Sequence, residues 1–197
     1  MGWYFDYNIR TKADLVSGLL KCEDELPGEN IAHRVIGNNL WIVRQFGSIE
    51  GDRAHYSGKR MIQLSLLGYD RREKCWGHKD MIETCGPGES NCPLAFLDLA
   101  TDFAEEGWSK DWRARVRAYH ARKKALASVE IAPSQRITLG GSVYTLLHPY
   151  SRAKGFWVIR REGDNATFKV RVGQIRRALQ AASQAIRRAL QAASQAA

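Results

Sequence analysis

Ile31-Ala32-His33-Arg34-Val35-Ile36, then Gly37-Asn38-Asn39, then Leu40-Trp41-Ile42-Val43-Arg44-Gln45-Phe46 decides the fold class. Two β-branched and aromatic runs flank a Gly/Asn cluster, and that pattern predicts an antiparallel hairpin. Upstream, Thr11 is suited to cap a helix with Asp14 three residues on, and Leu15, Val16, Leu19 and Leu20 follow at helical spacing. Pro27 and Gly28 end that unit. Downstream, residues 47–59 are polar and Gly-rich, and Met61 to Tyr69 is apolar enough for a third, buried strand. A sheet with a helix on one face is expected.

Residues 74–93 carry Gly77, Gly86, Pro87, Gly88 and Pro93 and predict a loop. Pro93 suits the first turn of a helix through Leu94, Phe96, Leu97 and Leu99. A longer helix is predicted from about Ser109 to Leu126. Pro133 opens a new unit with four short strand-like runs, 136–139, 142–147, 156–160 and 167–172, split by Gly140-Gly141 and Gly163-Asp164-Asn165. The last part repeats an eleven-residue word, Ile175–Ala185 and then Ile186–Ala196. A period of eleven keeps one face of a helix in line, and the alanine content favours helix. The expected class is α+β: an antiparallel sheet with packed helices over 1–127, a small SH3-like β subdomain over 128–173, and a helical tail over 174–197.

The chain has 197 residues, with 30 Lys and Arg against 21 Asp and Glu, a formal charge of +9. That length can bury a core without metals or disulfides. No apolar run approaches the ~20 residues of a membrane span, and the first residues lack the pattern of a secretory signal. A cytoplasmic protein with no membrane partner is expected. The four cysteines, Cys22, Cys75, Cys85 and Cys92, then read as thiols rather than disulfides. The basic balance makes nucleic acid the first partner to consider.

Two segments carry candidate chemistry. Trp108, Trp112, Val116 and Tyr119 place an apolar stripe on the longer helix, and Lys110, Arg113, Arg115, Arg117, Arg122, Lys123 and Lys124 supply the cations that would contact phosphates. In the loop, Asp80 and Glu83, with His78 and Lys79 alongside, are the candidates for acid–base or metal-assisted chemistry. The structural alternative is a polar network fixing the Gly86-Pro87 turn. Cys75, His78, Cys85 and Cys92 are the candidate ligands for a zinc ion, although their spacing is loose and no cofactor is the leading expectation.

Met1-Gly2-Trp3, Lys79-Asp80-Met81-x-Glu83-x-x-Gly86-Pro87, Cys92-Pro93, Leu97-Asp98-Leu99 and Trp112-Arg113 together resemble an uncharacterised family encoded by bacteriophages, plasmids and integrated bacterial elements. The resemblance covers about residues 1–172. It implies an accessory protein acting on nucleic acid or on host defence machinery. That family usually has an aromatic residue where this chain has His78 and an apolar one where it has Cys85. The leading expectation is a non-enzymatic nucleic-acid-binding or antidefence protein. The alternatives are a metal-dependent enzyme centred on Asp80 and Glu83, and a protein that binds or inhibits a host complex.

Overall fold

A computed structural model describes residues 2–21 and 27–195. The chain forms two compact units, Met1–His120 and Ala121–Ala197. The class is α+β, as the sequence predicts.

In the first unit, β1 (Tyr4–Asp6), β2 (Gly28–Ile36), β3 (Asn39–Phe46), β4 (Arg60–Asp70) and β5 (Cys75–Ile82) form one antiparallel sheet in the order β1-β5-β4-β3-β2. The predicted hairpin is β2–β3, with Val35 opposite Leu40 and Gly37 in the left-handed region at φ +60°. Helix α1 (Lys12–Lys21) starts at the expected cap, where the Asp14 amide donates to Thr11 Oγ1 at 3.1 Å. It lays Leu15 on Leu40, Ile42 and Leu67. Helices α2 (Leu94–Leu99) and α3 (Gly107–Ala127) cover the opposite face, where Phe96, Leu97, Trp112 and Val116 meet Trp41, Val43, Ile62 and Leu64. Both faces of β3 are therefore covered, which is why Leu40 to Val43 is apolar without a break. Trp41 and Trp112 stack at 5.8 Å between centroids.

The loop expected over 74–93 is only partly a loop. The first part of the predicted loop is strand β5, paired along its whole length with β4 from Gln63–Ile82 to Asp70–Cys75. Gly77 is needed there because β1 runs so close that a Cβ would fall 2.3 Å from the Tyr4 carbonyl oxygen.

In the second unit, β6 (Arg136–Leu139), β7 (Ser142–Pro149), β8 (Phe156–Arg161) and β9 (Thr167–Arg171) form an antiparallel meander in chain order. The four strands lie in one sheet, β6 at one edge and β9 at the other, a small β-rich subdomain as the four strand-like runs predict. Helix α4 (Val172–Gln195) follows directly. Its Ile175, fully buried, sits among Ile137, Leu146, Trp157 and Ile159, with Ala178 and Leu179 beside it. The first copy of the repeat is thus part of the core of this unit and not a separate tail.

Candidate nucleic-acid interface

The paired carboxylates of the first unit do not form a pair. Strand alternation puts Asp80 opposite Ser65, and His78 opposite Leu67, on the face that α1 covers. His78 Nε2 lies 3.2 Å from Asp80 Oδ2. Burial pushes the Asp80 carboxyl up, but the neighbouring His78 ring, Ser65 hydroxyl and Gln63 amide together leave it below its ordinary value. Its second oxygen, Oδ1, and Ser65 Oγ, though neighbours, make no hydrogen bond of good geometry among the described residues.

Glu83 follows β5 in a 3-10 turn and goes to the other side of the sheet. Its Oε1 accepts from the Ile62 amide at 2.9 Å, and its Oε2 accepts from Ser109 Oγ at 2.8 Å and Arg113 Nε at 2.7 Å. Fully buried, with both oxygens engaged, Glu83 has no approach for a substrate. The expectation of a shared Asp80–Glu83 centre is corrected on that ground. Lys79, half-buried on β5, joins neither group in an ion pair among the described residues.

The candidate zinc ligands are also separated. Cys75 and His78 lie three residues apart on a strand, and a period of two sends them to opposite faces. Cys92 packs in the core with Trp112, and burial raises its thiol well above the usual range. Cys85 is exposed, and Cys22 lies outside the described residues. Among the described residues no three His, Cys, Asp or Glu side chains are placed to hold a metal.

The basic helix divides in a way its sequence conceals. Trp112 and Val116 are buried, but Trp108 is exposed. Arg113 is 1% exposed and points inward, so it is removed from the phosphate contacts. Arg115 donates to the Pro87 carbonyl at 2.8 Å, and Lys110 pairs with Glu105 at 2.8 Å. His120 spends Nε2 on the Cys92 carbonyl at 2.8 Å. Arg117 is exposed, as are Arg122, Lys123 and Lys124 at the start of the second unit.

The charge is divided just as unevenly. The first unit has sixteen Lys and Arg against eighteen Asp and Glu, a net of −2. The second has fourteen against three, a net of +11. Two of its three acids are already paired, Glu162 with Arg136 (2.8 Å) and Asp164 with Arg161 (3.0 Å). Because Trp157, Ile159 and Val170 turn toward α4, their neighbours Phe156, Val158, Arg160, Lys169 and Arg171 turn to the outer face. Lys169 lies opposite Val158, and Arg171 opposite Phe156. Lys169 Nζ stands 4.2 Å from the Tyr150 ring centroid, and the Arg171 guanidinium 5.7 Å from that of Phe156. Arg160, Lys169 and Arg171 are all exposed. These three were not among the sequence candidates. The signal was available: after Asp164 the chain has six Lys and Arg and no acid at all.

No helix among the described residues is long and apolar enough to cross a membrane. No family model matches the chain, and no match was found among curated proteins or solved structures.

Proposed function

We propose that this chain is a nucleic-acid-binding accessory protein of a bacterial mobile element, and that it contacts phosphates through its second unit. The charge division carries the reading. A net of +11 on one unit beside −2 on the other makes a local cationic field rather than a diffuse one. Arg160, Lys169 and Arg171 put part of that charge on one exposed sheet face, interleaved with aromatic rings. Such a face neutralises phosphates and releases their counterions. It also offers rings beside cations, a combination suited to single strands and tolerant of sequence. Phosphate contacts of this kind fix position and carry no base sequence information.

The test is fluorescence anisotropy with labelled DNA and RNA against two triple variants of equal charge change. One reverses Arg160, Lys169 and Arg171 to Glu. The other reverses Arg34, Arg71 and Arg72, which are exposed in the first unit. The expected result is a large loss for the first and little change for the second. Equal losses, or none, would contradict the reading.

A further inference from the structure

The second unit has a cleft of about 750 Å³ where the start of β8, the end of β9 and the first turn of α4 come together. Lys169, Arg171 and Arg177 converge on it, and the ring of Phe156 forms part of the wall. Among the described residues none of these three cations is in an ion pair. The first turn of α4 contains no acidic residue. The Val172 amide donates to the Gly155 carbonyl at 2.9 Å. The amides of Gly173 and Gln174, both in the cleft wall, belong to the donors that helix geometry leaves without an intrahelical acceptor.

We infer that this cleft is the seat of one phosphate group of a polynucleotide backbone. The inference rests on the nucleic-acid reading and gives it a place. Three cations drawn from β9 and α4 surround a space whose lining brings no carboxylate, so their positive charge is balanced by no acid of the lining and is available to an anion. Arginine forks and lysine each make charge-assisted hydrogen bonds to phosphate oxygens. The Gly173 and Gln174 amides add donors at the positive end of a long helix. The Phe156 wall gives the attached sugar or base a flat apolar surface. A free nucleotide carries the same phosphate chemistry, and the experiment separates the two sources.

Gly173 provides the variant. A Cβ there meets nothing within 4 Å. Gly173→Glu places a carboxylate in the cleft and also puts an acid in the first turn of a helix, where it is favourable. Binding and stability are therefore expected to move in opposite directions. Gln184→Glu, exposed on the same helix, makes the same charge change away from the cleft and is the control. Affinity for a labelled single-stranded oligonucleotide is measured for the full chain and both variants, with AMP as competitor. The expected result is a loss of ~10-fold or more for Gly173→Glu with an unchanged or raised melting temperature, against ~2-fold or less for Gln184→Glu. Arg177→Gln weakens binding in the same direction. Equal losses for the Glu variants would overturn the cleft and leave the charge reading of the unit standing. Displacement of the oligonucleotide by AMP at equal phosphate concentration would overturn the polynucleotide assignment. A wild-type chain that binds neither DNA nor RNA at low salt would overturn both.

Discussion

Glu83 Oε2 lies 2.6 Å from Arg113 Nη2, and neither side chain reaches solvent. Arg113 Nη1 also donates to the Leu97 carbonyl at 2.9 Å, and its Nη2 to that of Ala100. The pair ties the end of β5 to α3 and to the C-terminal end of α2. It also brings together residues from separate segments of the sequence. Glu83 is the acid, Gly86 the left-handed residue that closes the turn, Trp112 the ring stacked on Trp41, and Arg113 the cation. These four residues therefore hold a core together. Arg113→Ala leaves a buried carboxylate without its cation and is expected to cost about 3–5 kcal/mol in urea unfolding. Arg117→Ala, exposed one turn later, is expected to stay within ~0.5 kcal/mol.

The eleven-residue repeat permits a comparison of identical residues in different surroundings. Ile175 is 0% exposed and Ile186 is 61% exposed. Ile175→Ala is expected to destabilise the second unit by about 2–5 kcal/mol. Ile186→Ala is expected to change stability by no more than ~0.5 kcal/mol. Thermal unfolding of the two variants checks both. Similar losses would mean that the second copy is also packed.

These contrasts show what the sequence could reveal. The β2–β3 hairpin and α1 were legible because each is encoded locally, by a Gly-Asn turn between apolar runs and by Thr11 capping Asp14. Strand β5 was hidden because Gly77, Lys79 and Asp80 disfavour a strand, and pairing with β4 overrides that preference. Arg113 looked like one more cation on a charged face. Its partner Glu83 is 30 residues earlier, a distance at which no spacing rule applies. The zinc set failed because a strand, unlike a loop, fixes which side of the sheet each residue faces. The outer face of the second sheet was illegible because Lys169 and Arg171 alternate around Val170 in a strand of only five residues, too short for its period to stand out.

Asp164 gives a pH prediction. The Arg161 guanidinium hydrogen-bonded to it, helped by the Ala166 amide, holds its carboxyl down at about 2. The ordinary value is about 3.9. A carboxyl lowered by folding stabilises the folded chain above its ordinary value, and that contribution is lost as pH falls toward about 2. Carboxyl NMR titration is expected to show Asp164 ionised at pH 3. Arg161→Gln is expected to return it to the ordinary range. An unchanged midpoint in that variant would contradict the assigned cause.

Thiol reactivity checks the cysteine placement. Cys85 is exposed, whereas Cys75 and Cys92 are buried with thiols raised chiefly by burial. A thiol reagent followed by peptide mass mapping is expected to label Cys85 within minutes and to reach Cys75 and Cys92 only after unfolding. Rapid labelling of Cys92 in the folded chain would contradict the packing around Trp112.

If phosphates are bound through the second unit, the affinity for nucleic acid depends on salt through the cations of that unit. The logarithm of the binding constant for single-stranded DNA is measured against the logarithm of salt concentration, for the wild-type chain and for Arg160→Glu/Lys169→Glu/Arg171→Glu. A steep negative slope is expected for the wild type, and a slope shallower by roughly 0.7 for each phosphate that the variant no longer neutralises. Binding that is insensitive to salt, or an identical slope in the two proteins, would contradict it.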